Sequence, residues 1–227
     1  MKIGILQTGL VPDGMAEKTG EYPDMFARLL ANQGFEFESW AVVDGVFPKG
    51  PEEADGWLIT GSRHGVYEDH AWLPPLRDLI RAIYASERPL VGVCFGHQVI
   101  AQALGGTVEK FAGGWSVGPT RYRFGDQERL IHAWHQDQVI TLPEGAEVVA
   151  ESDHCRYAAL LYPGHAYTVQ PHPEFNDAYA GALLRERGPG VVPQADLDAA
   201  SSQLGTPLDS ALIAEQFATF FKQGRLA

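Results

Sequence analysis

Two spacings of apolar residues alternate along the first half of the chain. Residues 3–6, 35–43, 56–60 and 90–93 form short apolar or alternating runs, as strands of a sheet covered on both faces do. Between them, residues 22–33 carry Phe26, Leu29 and Leu30, and residues 76–86 carry Leu76, Leu79, Ile80 and Ile83, at the three-and-four spacing of an amphipathic helix. Gly34 is placed to end the first helix, and Pro89 separates the second from the strand that follows. Residues 97–104 predict a further helix, stopped by Gly105-Gly106. This alternation predicts an α/β fold built on an open, mostly parallel sheet flanked by helices.

Beyond Gly106 the runs shorten and turn residues separate them. Residues 120–124, 130–133, 148–151 and 158–162 are expected as antiparallel additions to the parallel core. Residues 166–170 read as one more strand, closed by Pro171-His172-Pro173-Glu174. Residues 177–187 and 212–221 read as helices, and the stretch 188–207, rich in Gly, Pro and small polar residues, as a surface excursion between them. With 227 residues, too few for two full enzymatic domains, a single domain over 1–227 is expected.

The strand at 90–93 runs into Gly92-Val93-Cys94-Phe95-Gly96, the G-x-C-x-G form of a nucleophile elbow with a strand before it and a helix after it. Such a turn holds its central residue in a strained backbone conformation, and side chains two positions to either side would strike the neighbouring strand and helix. The thiol is then presented at the carboxyl edge of the sheet, where open α/β sheets bind ligands, beside a helix N-terminus that favours the thiolate. The Phe95 amide is one natural oxyanion donor, and the turn at Gly61-Ser62, ending a neighbouring strand, offers the second. A glycine there can change its peptide orientation at little steric cost.

Amide cleavage also needs a proton carrier for the leaving amine. Of eight histidines, His172 is best placed, at the end of an apolar strand with Glu174 two residues on and able to hold the imidazole's tautomer. Cys155, beside Asp153 and His154, follows no elbow and reads as an ordinary loop residue. His132, His135 and Asp137 lack a firm third ligand, so no metal and no cofactor is expected.

Charge and cysteine usage narrow the setting. The net charge is −12 and Lys and Arg form no stripe, which argues against a nucleic-acid partner. The apolar run at the start is too short for a signal core or a membrane span, and two cysteines cannot supply a disulfide framework, so a cytoplasmic location is expected.

Val91-Gly92-Val93-Cys94-Phe95-Gly96-His97-Gln98, together with Val169-Gln170-Pro171-His172-Pro173-Glu174, resembles class I glutamine amidotransferases. Leu58-Ile59-Thr60-Gly61-Ser62 is similar to the family's oxyanion-strand motif, Leu104-Gly105-Gly106 to its motif after the elbow helix, and Trp134-His135-Gln136-Asp137 to its loop before a valine-containing strand. The likeness covers residues 1–176, and is nearest to stand-alone members related to the amidotransferase domain of GMP synthetase. The chain departs from the family at Thr60-Gly61-Ser62-Arg63, where Ser-Gly-Gly-Pro is common, and at Pro171, where Phe is common.

The resemblance implies a flavodoxin-like fold and hydrolysis of the γ-carboxamide of glutamine through a γ-glutamyl thioester on Cys94. It implies His172 and Glu174 as partners, Gly61 and Phe95 as the oxyanion hole, and Gln98 with the backbone around Trp115, Ser116 and Val117 as the substrate's holders. Two outcomes stay open: ammonia from glutamine passes to a separate synthetase subunit, or the chain is a γ-glutamyl hydrolase that releases an amine or a peptide from γ-glutamyl amines or peptides. A catalytically silent binding module is the rival of another class, and the intact Cys94, His172 and Glu174 argue against it.

Overall fold

The computed structural model describes residues 1–12 and 14–226. Strands β1 (Lys2–Leu6), β2 (Glu36–Trp40), β3 (Gly56–Ile59) and β4 (Leu90–Val93) alternate with helices α1 (Ala16–Thr19), α2 (Tyr22–Leu29) and α3 (Leu73–Ala85), and α4 (Phe95–Ala103) follows β4 directly. Then come β5 (Thr107–Lys110), β6 (Ser116–Phe124), β7 (Gln127–His135), β8 (Asp137–Thr141), β9 (Glu147–Ala150), β10 (Ala159–Tyr162) and β11 (Ala166–Val169). Helices α5 (Asp177–Glu186), α6 (Gln194–Ser202) and α7 (Ser210–Gln223) complete the order.

The main sheet has seven strands in the order β2-β1-β3-β4-β11-β10-β9. The pairings from β2 to β11 are parallel, and β10 pairs antiparallel with both β11 and β9. Side chains leave its strands towards both faces, each into its own core. Trp57 and Ile59 of β3 join Leu76, Ile80 and Ile83 of α3 and Val99 and Ile100 of α4 on one face. Leu58, Val91, Val93 and Val169 join Phe26 of α2 and Phe217 and Phe220 of α7 on the other. Burial on both faces explains why β3 and β4 carry no polar alternation. Among the described residues no helix is long and apolar enough to cross a membrane.

Three local expectations shift. Helix α2 ends at Leu29 rather than at residue 33, because Asn32 and Gly34 both take positive φ, 64° and 78°, which a right-handed helix does not allow. The antiparallel additions divide: β9 and β10 extend the main sheet, whereas β6 with β7 and β5 with β8 form two-stranded ribbons of their own. The 188–207 stretch contains α6, whose Leu197 and Ala200 are buried beside Trp115, Val117 and Trp134. Leu197 is the one large apolar residue of α6, and with the small Ala200 it makes too faint a pattern against its Ser, Asp and Gln.

Candidate active site

The carboxyl ends of four adjacent strands meet at one place. β1 brings Thr8, β3 brings Thr60 and Gly61, β4 brings Cys94, and β11 leads to His172. Cys94 is the N-cap residue of α4, with φ 53° and ψ −104°, a conformation costly for any residue with a Cβ. Its backbone is held from both sides: its N–H donates to Val169 O at 2.9 Å, and its carbonyl accepts from Gln98 N at 3.0 Å. The elbow glycines answer to close packing. A Cβ on Gly96 would lie 2.3 Å from the Ile59 carbonyl oxygen, and one on Gly92 would lie 2.7 Å from the Gly96 backbone. The first turn of α4 leaves the N–H groups of Phe95 and Gly96 without a helical acceptor, beside the buried thiol.

His172 and Glu174 are buried together, with His172 Nδ1 2.7 Å from Glu174 Oε1. They sit in the turn after β11 rather than on a continuing strand, and an isolated bridge to His132 fixes that turn, with His172 N donating to His132 O at 2.8 Å. Phe175 stacks on the imidazole at 4.0 Å between ring centroids, with 7° between planes. Burial by itself pushes the His172 pKa down, but the neighbouring Glu174 carboxylate and Cys94 outweigh it, and the net direction is upward. The arrangement therefore favours the protonated imidazolium of His172.

The β3 turn lies against this pair. A Cβ on Gly61 would come within 2.9 Å of His172 Cε1 and 3.8 Å of Cys94 Cβ, so only glycine fits without moving the imidazole. The turn is also tied down. Thr8 N donates to Thr60 Oγ1 at 3.0 Å, Thr60 Oγ1 donates to Gly61 O at 3.0 Å, and Thr8 Oγ1 donates to Thr60 O at 2.9 Å. The hydroxyls of Thr8 and Thr60 are buried, and the carbonyls of Thr60 and Gly61 each have a donor. The peptide freedom expected of Gly61 is thus restrained by Thr8, a residue without any motif around it.

A cleft of about 610 Å³ opens above these residues, lined by Cys94, His172, Gln98, Trp115, Trp134 and His135, and rimmed by Arg63, His64, Glu68 and Lys110. Gln98 Nε2 donates to Asp137 O at 2.8 Å and to Gln170 Oε1 at 3.0 Å, which spends its donors within the protein and leaves its own carbonyl for a ligand. Trp115 lines the cleft and packs on Trp134 at 5.9 Å between centroids. Ser116 and Val117 do not line it; they lie behind it in the β6–β7 ribbon, paired with His135 and Trp134.

The remaining titratable candidates are accounted for locally. Cys155 is buried, and burial pushes its thiol up to about 12. His132 Nε2 lies 3.0 Å from Asp177 Oδ1, whereas burial drives His135 down to about 3, so that it stays neutral. His132, His135 and Asp137 do not converge on a shared point as ligands would.

The site is thus a mostly parallel α/β sheet carrying Cys94 at a strand-to-helix elbow, with a buried His–Glu pair beside it. The chain belongs to the class I glutamine amidotransferases, the family whose model matches residues 30–186. It is 35% identical over 185 residues to gamma-glutamyl peptidase 4 of Arabidopsis thaliana, covering 73% of each chain. It is 31% identical over 176 residues to the glutamine-hydrolysing GMP synthase of Pyrobaculum aerophilum, covering 74% of this chain and 33% of that one. In fold it is similar to the crystal structure of a glutamine amidotransferase from Methylobacillus flagellatus, with TM-score 0.76 at 21% identity, covering 100% of this chain and 95% of that one.

Proposed function

We propose that this chain hydrolyses a γ-glutamyl amide bond through a γ-glutamyl thioester on Cys94. The observation that carries the reading is the placement of Cys94 on the strained elbow beside the buried His172–Glu174 pair. The Cys94 thiolate attacks the γ-carbonyl carbon, and the negative charge moves to the carbonyl oxygen, where the N–H of Phe95 and the turn at Gly61 serve as donors. Collapse of the adduct breaks the C–N bond, and His172 gives its proton to the departing amine. Water then attacks the thioester, His172 takes the proton, and glutamate leaves with the thiolate restored. Glu174 holds the imidazole's orientation and charge through both steps without joining the bonds that change.

Glutamine, with ammonia as leaving group, is the smallest substrate of this type. A second reading, γ-glutamyl amines or peptides, is favoured by the cleft of about 610 Å³, which reaches past Cys94 to the rim at Arg63, His64 and Lys110 and is ample for a larger leaving group. The similarity to a gamma-glutamyl peptidase points the same way. The similarity to a GMP synthase supports the other fate, ammonia passed to a separate synthetase subunit. The tied turn at Thr60 and Gly61 speaks for a hole already formed in the isolated chain. Steady-state release of ammonia from glutamine, and of amine from γ-glutamyl amines and peptides, tests both readings. Turnover of one of them that disappears in Cys94→Ala is expected; turnover of none, with or without a partner, would overturn the proposal in favour of a silent binding module.

A further inference from the structure

Between the β3 turn and α3 the chain carries His64, Glu68 and His70, none of which has a role in the chemistry proposed above. One ligating atom from each lies within 4.8 Å of those of the other two. Glu68 Oε2 stands 2.6 Å from His70 Nε2 and 3.3 Å from His64 Nδ1, so both imidazoles converge on a single carboxylate oxygen. The two rings are 4.3 Å apart between centroids. The segment is ordered by its own contacts: His64 N donates to Ser62 Oγ at 3.2 Å, Glu68 N to Gly65 O at 3.1 Å, and Leu73 N to His70 O at 3.0 Å. His70 also stacks on Trp72, at 5.7 Å and 15° between planes, and Trp72 is itself buried against Phe95.

We infer that His64, Glu68 and His70 form a binding site for a divalent transition metal of the zinc type. Two imidazoles and one carboxylate are a donor set that zinc accepts, and three protein ligands leave a fourth position for water. Bonds of about 2.0–2.2 Å place neighbouring ligand atoms of a tetrahedral site roughly 3.3–3.6 Å apart, the spacing of Glu68 and His64 at 3.3 Å, while the 2.6 Å contact of Glu68 with His70 must open to admit the ion. In the metal-free chain each imidazole can share a proton with Glu68; on binding, each ring takes the tautomer that turns a lone pair inward. Ring stacking on Trp72 and the loop's hydrogen bonds hold the rotamers before the ion arrives, as a built site requires. His64 and Glu68 also line the cleft, so the ion would tie the segment leaving Gly61 to the start of α3 at the cleft's rim.

The test uses the full-length chain carrying Cys94→Ala, so that the thiol cannot take metal and the result is independent of the proposed hydrolysis. Zn²⁺ is titrated against a competing chelator, with thermal melting followed in parallel. Saturable binding of one ion per chain is expected, with a raised Tm. Adding Glu68→Gln, nearly isosteric, or His70→Ala should weaken binding at least tenfold, while melting without metal confirms that each variant is folded. Equal affinity in the cluster variants would show that other histidines hold the ion, and absence of saturable binding to the intact cluster would also overturn the site.

Discussion

His172 and Glu174 form a buried pair in which one carboxylate oxygen meets Nδ1 at 2.7 Å and the other, Oε2, has no partner among the described residues. A carboxylate so nearly bare depends on the imidazolium for its charge balance, and the imidazolium depends on it in turn. Replacing Glu174 with Gln removes the charge and keeps the shape. His172→Ala should cost nearly as much activity as loss of the thiol, and Glu174→Gln about one to two orders of magnitude less than that, because an orienting residue does not join the reacting bonds. Steady-state kcat for the three variants checks the ranking, and a Glu174→Gln chain as inactive as His172→Ala would contradict it.

The two cysteines should part company. Cys155, with its thiol pushed up to about 12 by burial, stays protonated near neutral pH, whereas Cys94 sits beside the His172 imidazolium. Iodoacetamide near neutral pH is expected to label Cys94 well before Cys155, and Cys155→Ser to leave kcat/KM within about twofold. Peptide mapping of the labelled chain reads the order; labelling of Cys155 first would contradict the assignment.

Thr8→Val should loosen the β3 turn by removing the hydroxyl that donates to Thr60 O. If Gly61 helps to hold the oxyanion, kcat falls by about tenfold or more, short of the roughly 2.7–4 kcal/mol that loss of a whole donor costs, with a smaller change in KM. Thr8→Ser keeps the hydroxyl and should restore most of kcat. A loss confined to Tm, with kcat unchanged, would leave Thr8 a purely structural residue.

Stability should fall on the acid side. Burial holds His97 and His135 down to about 3, against an ordinary imidazole value of about 6.5. Below about 6.5 the unfolded chain takes up protons that these folded residues refuse, so their contribution is intact above that pH and is lost as pH falls towards 3. His172 has the opposite sign: its raised pKa adds stability below about 6.5 that is lost as pH climbs through its folded value. Denaturant unfolding at a series of pH values should give a shallower acid limb for His97→Asn than for the unsubstituted chain. Equal slopes would contradict the buried neutral state of His97.

What could be read from sequence was what the chain writes locally. Gly92, Cys94 and Gly96 lie within five residues, and His172 and Glu174 within three, so the elbow and the His–Glu pair needed no knowledge of distant contacts. The pairing of β6 with β7 and β5 with β8 into separate ribbons depends on contacts that no single run encodes. Thr8 was hidden for the same reason: its partner Thr60 is 52 residues away, and a lone threonine after a strand carries no signal. The convergence of His64, Glu68 and His70 depends on the fold of their loop, which the spacing alone leaves open.

A covalent γ-glutamyl intermediate on Cys94 is read most directly by mass spectrometry of the chain quenched in acid during turnover of glutamine or a γ-glutamyl peptide. The predicted result is a fraction of the protein heavier by one glutamyl group, carried on the peptide that contains Cys94 and absent from Cys94→Ala. Turnover that proceeds with no such adduct, and that survives in Cys94→Ala, would rule out Cys94 as the nucleophile.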